Sequence, residues 1–64
     1  MKVGRRIKQY LDEHGIKQSF LADKTGLSNS RISDICTKDC KIDIVEYYKI
    51  CNALNVSMDA FVEE

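Results

Sequence analysis

Residues 18–35, QSFLADKTGLSNSRISDI, constrain the fold of this chain more than any other stretch. They read as two short helices joined by a sharp turn. Leu21 and Ala22 lie on the inner face of the first helix, Gly26 supplies the turn, and Leu27 plugs the corner. Ile32 and Ile35, three positions apart, mark the inner face of the second. A small Ala and a Gly at these points let two backbones approach closely, and Gly takes a positive φ without a Cβ clash. The outward positions of the second helix are short and polar: Asn29, Ser30, Ser33 and Asp34.

The flanking segments supply more helices. Val3, Ile7, Tyr10 and Leu11 follow one buried stripe at i, i+4, i+7 and i+8, which predicts a first helix over about 2–13. Gly15 is the expected left-handed residue at its end, with His14 near the negative end of the helix dipole. Helices follow over about 18–25 and 29–36, the latter capped by Ser28. Residues 37–42 read as a polar loop. Asp43 and Glu46 have capping-box spacing ahead of Tyr47, Ile50, Cys51 and Leu54, predicting a helix over about 44–54 that ends at a left-handed Asn55. A short helix over about 58–62, capped by Ser57, completes an all-α, compact five-helix bundle. Tyr47 is expected in the core and its neighbour Tyr48 near an edge. Phe20, outside the inner stripe of its helix, is expected to fold onto the first helix or to serve a protein contact.

Length sets the scale. Sixty-four residues form one domain, 1–64, without room for a second, ligand-sensing unit. Chains of this size bury only about 60% of the surface their unfolded form exposes. No Pro, 44% hydrophobic and 31% charged residues fit a folded helical protein rather than a disordered one. No apolar run reaches membrane-spanning length and no signal-peptide core precedes the first helix, so a cytoplasmic location is expected. The three cysteines, Cys36, Cys40 and Cys51, lack CxxC spacing. Cys51 reads as a small hydrophobe on an apolar helix face. Cys36 and Cys40 read as free thiols; joined with His14 they make an incomplete metal set, and no metal or other cofactor is expected.

Asn29, Ser30, Ser33 and Asp34 on the outer face of a helix after a tight turn are the arrangement that lets a helix lie in the DNA major groove. Net charge is zero, with ten basic and ten acidic residues, whereas phosphate binding draws on Lys and Arg. The distribution is polarised instead. Lys2, Arg5, Arg6 and Lys8 crowd the start, and Lys17, Lys24, Arg31, Lys38 and Lys41 fall in or around residues 18–41. Asp59, Glu63 and Glu64 gather at the other end. Arg31 has three readings: a contact with DNA, a solvated charge, or a partner for Asp34 at i+3. The serines have no plausible base, because the only histidine, His14, ends a helix without a partner, so an enzyme is not expected.

From Gly4 to Phe61 the chain resembles the helix-turn-helix family of phage lambda-type repressors and Cro proteins. The likeness rests on Gln18, Leu21-Ala22, Gly26-Leu27-Ser28, Ile32-Ser33 and Ile35, then Ile50, Ala53-Leu54 and Asn55-Val56-Ser57-Met58-Asp59. The motif spans about 18–36. The resemblance implies double-stranded operator DNA as partner, bound by a two-fold homodimer, with no small-molecule ligand. It implies base-edge contacts by Asn29, Ser30, Arg31, Ser33 and Asp34, and phosphate contacts by Gln18, Ser28, Lys38 and Lys41. Gln18 would be helped by the backbone N–H groups and positive dipole at its helix start.

Four departures from the family pattern involve five positions. Leu11 and Cys36 stand where many members pair an Arg with a Glu; replacing both together removes two desolvation costs along with one attraction. Lys17 replaces a Ser or Thr cap, Lys38 replaces a turn Gly, and Asp34 occupies a groove-facing position often held by a cationic residue or Gln. The expected function is a small sequence-specific repressor that occludes polymerase at a palindromic operator, governed by its concentration, turnover or a partner protein. The alternative on the same fold is a regulator that pairs with another protein and has lost most DNA affinity. A metal or redox switch through Cys36 and Cys40 is a third, weaker reading.

Overall fold

The computed structural model describes residues 3–38 and 40–62. Four helices follow in chain order: α1 (Gly4–His14), α2 (Gln18–Thr25), α3 (Asn29–Lys38) and α4 (Ile44–Leu54). α3 packs against α1 and α2, and α2 against α4. Ile7 and Leu11 of α1, Leu21 of α2, Ile32 and Ile35 of α3, and Tyr47, Ile50 and Cys51 of α4 fill the shared interior. The residue-2 start expected for the first helix, and the acidic Glu63 and Glu64, lie outside the described residues.

Helix ends follow local chemistry. Gly15 (φ 64°) and Gly26 (φ 76°) both take the left-handed conformation after α1 and α2, where an L side chain would be strained. Gly15 N–H donates to the Asp12 carbonyl and Ile16 N–H to that of Leu11, at 3.3 and 2.8 Å, closing the last turn of α1. Asn55 (φ 58°) ends α4 in the same way, with Val56 N–H on the Cys51 carbonyl at 3.0 Å. At the start of α4, Asp43 Oδ1 accepts from Glu46 N–H at 2.8 Å and Glu46 Oε1 from Asp43 N–H at 3.3 Å, the reciprocal box its spacing predicts.

Two expectations need correction. The described residues hold four helices rather than five. Residues 57–62 form successive turns, with Ala60 N–H on the Ser57 carbonyl (3.1 Å) and Val62 N–H on that of Asp59 (3.4 Å). So short a stretch gains too few i→i−4 bonds to offset helix nucleation. Its hold is tertiary: Phe61 is buried edge-on to Tyr10 and Tyr47, and its N–H donates to Tyr47 Oη at 3.3 Å. Ser57, expected as a cap, donates its hydroxyl to Asp59 Oδ1 instead.

α3 runs two residues beyond the expected end at 36. With Lys rather than Gly at 38 nothing stops the helix there. Thr37 Oγ1 donates to the Ser33 carbonyl at 2.7 Å, and Lys38 Nζ lies 3.4 Å from Asp34 Oδ1. Phe20 lies at the end of α1. It stays 46% exposed beside Gly15, Ile16 and Lys17 in the turn that follows α1, with Lys24 Nζ 5.6 Å from its ring centre. Tyr47 and Tyr48 divide as expected, at 1% and 56% exposed.

Candidate nucleic-acid interface

The corner between α2 and α3 is built around Thr25. Its hydroxyl, buried with the rest of the side chain, donates to the Leu21 carbonyl at 2.8 Å and accepts from Leu27 N–H at 3.2 Å. One side chain thus adds a second bond to a carbonyl in the last turns of α2 and satisfies the first amide beyond Gly26. Leu27 lies half-buried against the core, as a plug at the corner requires. The next residue, Ser28, caps α3: its Oγ accepts from Arg31 N–H at 3.0 Å, and its carbonyl from Ile32 N–H at 3.1 Å. Sequence reasoning missed Thr25, although a Thr at the last position of a helix, just before a left-handed Gly, is a readable signal for such a tie.

α3 has two contrasting faces. Ile32, Ile35 and Cys36 are buried, whereas Asn29 and Ser30 are exposed and Ser33 and Asp34 half-exposed. Asn29, Ser30, Ser33 and Asp34 fall at i, i+1, i+4 and i+5, so they share one side of the helix. Ser19 and Asp23 of α2 line an open concavity together with Gly26, Ser28 and Asn29, which joins the outer side of α2 to the start of α3. Gln18 is half-buried at the first position of α2. Lys17 precedes it without a side-chain cap, as expected from the missing Ser or Thr. Lys38 and Lys41 are both exposed.

Arg31 behaves differently from its neighbours. The sequence offers it Asp34 as a partner at i+3, but Asp34 pairs with Lys38. The Arg31 guanidinium turns to α4 and grips Glu46 with two bonds, Nε to Oε2 at 2.8 Å and Nη2 to Oε1 at 2.7 Å. Nη2 also donates to the Lys41 carbonyl at 3.1 Å. The Arg31 hydrogen bond holds the Glu46 carboxyl below the ordinary glutamate range, and the same bond raises the Arg31 pKa. No local spacing announces a partner fifteen residues away.

The cysteines and the histidine are engaged elsewhere. Cys36 and Cys51 are buried, and burial pushes both thiols above their ordinary value, so they pack as small apolar groups. Cys40 is a free, half-exposed thiol. His14 stacks on Tyr10 at 4.0 Å, its Nδ1 2.9 Å from the Tyr10 carbonyl oxygen. Among the described residues no three His, Cys, Asp or Glu side chains gather as a metal site. No helix among them is long and apolar enough to cross a membrane.

Leu11 and Cys36 both lie in the core, where α1 meets α3, at 1% and 3% exposed. Apolar groups thus occupy both of the positions that the resemblance matches to an Arg–Glu pair found in many family members. A family model for helix-turn-helix domains matches residues 7–61, which takes in all of α2, α3 and α4 and most of α1. No curated protein and no solved structure matches the chain. With the tight turn at Gly26, the capped and two-faced α3 and a match over most of its length, the chain belongs to the helix-turn-helix family of lambda-repressor and Cro type, a family of DNA-binding transcription regulators.

Proposed function

We propose that this chain is a sequence-specific repressor that binds a near-palindromic operator as a two-fold dimer, with α3 in the major groove. The observation that carries the reading is the polar face of α3, where Asn29, Ser30, Ser33 and Asp34 stand opposite the buried Ile32, Ile35 and Cys36. Short polar side chains on a helix held by its other face suit direct hydrogen bonding to base edges. Gln18 and Ser28, at the starts of α2 and α3, are placed to meet phosphates through side chain and helix dipole. Lys38 and Lys41 would meet the backbone on the far flank. Occupancy of the operator would exclude polymerase.

The dimer also has a surface that fits it. Ile44 and Val45, at 61% and 58% exposed, stand with Tyr48 on the outer side of the first turns of α4. This apolar stripe adjoins Glu46, which is tied to the start of α3, so a second copy seated there would set the distance between the two α3 helices directly. Three side chains make a small contact compared with the roughly 1,200 Å² of a stable interface, so the dimer would form on DNA rather than free in solution.

Selection of bound duplexes from a random pool, followed by a salt titration, tests the reading. Recovered sites should be near-palindromes with half-site centres about 34–36 Å apart. If the dimer touches roughly six to ten phosphates, affinity should fall about 10³- to 10⁵-fold between about 50 and 200 mM salt. Tyr48→Glu should abolish cooperative operator binding while leaving half-site binding intact. Salt-insensitive binding, or sites without two-fold symmetry, would count against this reading, and co-purification with another protein in the absence of DNA would favour the protein-pairing alternative on the same fold.

A further inference from the structure

Arg31 joins three separate segments through one guanidinium. It belongs to the first turn of α3, it bonds the Glu46 carboxylate of α4 at 2.7 and 2.8 Å, and it holds the Lys41 carbonyl of the intervening loop at 3.1 Å. Glu46 is shared, because its Oε1 also accepts from Asp43 N–H at 3.3 Å as half of the α4 capping box. The pair is moderately shielded, with the Arg31 side chain 33% and the Glu46 side chain 17% exposed. A planar fork against a carboxylate fixes orientation as well as distance, which a lysine ammonium does not. Reaching for a base edge would cost Arg31 all three of these bonds. It would also leave Glu46 half-shielded without its cationic partner.

We infer that Arg31 is a positioning residue rather than a base reader: with Glu46 it locks the Lys41 loop and the start of α4 onto α3, so that the phosphate-facing flank and the base-facing side enter DNA as one rigid unit. The inference rests on the DNA-binding reading above. It removes Arg31 from the residues expected at base edges and gives Glu46, which faces no DNA, a part in recognition. Lys41 is the intermediary, since its backbone is pinned while its side chain stays exposed. Geometry fixed this way helps binding by reducing the ordering that association would otherwise require.

The test uses the full chain on its selected operator, with binding measured across a salt series. Arg31→Met, Arg31→Lys and Glu46→Ala should each weaken operator binding by about tenfold, the electrostatic share of one or two misplaced phosphate contacts. The double change Arg31→Met with Glu46→Ala should be no worse than either alone, and preference at every base pair should stay as in the wild type. Lys41→Met should lower the slope of log affinity against log salt by about 0.9 for each phosphate that the lysine no longer neutralises. In an Arg31→Met background that further change in slope should disappear. Circular dichroism confirms folding at the binding temperature, and Glu46→Gln, whose single amide oxygen can accept only one of the two guanidinium bonds, should retain part of the affinity. Tighter binding by Glu46→Ala, or an Arg31→Met variant that relaxes a single base pair, would make Arg31 a reader of DNA and overturn the inference. Rescue by Arg31→Lys would reduce its role to bare charge and overturn it equally. A wild-type chain that selects no duplex would instead remove the DNA-binding reading, and the inference with it.

Discussion

Asp34 faces Lys38 one turn further along α3, with Oδ1 and Nζ 3.4 Å apart. The carboxylate therefore stands within the face that would meet the groove, and its nearest cation is a lysine rather than Arg31. Both side chains are largely exposed, and such a pair contributes little to stability in water. In the proposed complex the two would separate, Lys38 toward a phosphate and Asp34 toward a cytosine N4 amino group, which donates where phosphate repels.

Asp34→Ala should accordingly relax preference at one base pair of each half-site by about 1–3 kcal/mol. Affinity for unrelated duplexes should change little. Measuring wild type and variant on operator duplexes substituted one base pair at a time separates a missing hydrogen bond from a relieved repulsion. Uniformly tighter binding across that panel would make Asp34 a general brake instead.

Leu11 and Cys36 are both buried in the core where α1 meets α3, at positions that the resemblance matches to an ion pair. Leu11→Arg alone should cost about 3–5 kcal/mol, because it leaves a buried charge without a partner. Cys36→Glu should cost a comparable amount, since Lys8 is already paired with Asp12 at 2.9 Å and the Asp12 carboxylate would repel the new charge. The double variant should recover part of the loss. Urea denaturation of the four proteins gives the coupling directly, and a coupling under about 0.5 kcal/mol would show that the two positions act independently.

Thr25 ties the corner through a hydroxyl that serves two backbone groups. Thr25→Val keeps shape and volume but strands the Leu27 amide, so it should destabilise by about 1–3 kcal/mol. Thr25→Ser restores the hydroxyl and should recover most of that difference. The expected signature in urea is a lower midpoint at unchanged slope, as for a missing bond rather than a loosened native state.

What the sequence discloses about this chain depends on distance along it. Gly15, Gly26, Ser28, Asn55 and the Asp43–Glu46 box are all legible, because each acts on backbone within four residues. The buried stripes are legible for the same reason, as helical spacing alone separates Tyr47 from Tyr48. The end of α3 is harder to place because a family turn Gly is absent, and the helix continues wherever side chains still support it. The segment 57–62 misleads because its order comes from Phe61 against Tyr10 and Tyr47, far away in sequence. Arg31 is the sharpest case within the candidate interface. Its position on α3 is evident, but its partner lies on another helix and no local pattern names it.

That partner makes stability depend on pH in a defined direction. The Arg31 hydrogen bond lowers the Glu46 pKa in the folded chain from the ordinary 4.5. A carboxyl whose folded pKa lies below its unfolded one stabilises the fold above the unfolded value, and loses that effect as pH falls through the folded one. Wild type should therefore melt above Glu46→Gln at neutral pH, and the gap should close as pH drops below about 4.5 and Glu46 takes up its proton. Added salt should narrow the gap at neutral pH as well, because the pair is partly exposed and screening reaches it. Melting curves for the two proteins between about pH 7 and about pH 3, at low and high salt, decide the matter. A gap that persisted unchanged down to about pH 3 would mean that the amide disturbs the capping box, and that the Arg31–Glu46 charge pair contributes nothing to the fold.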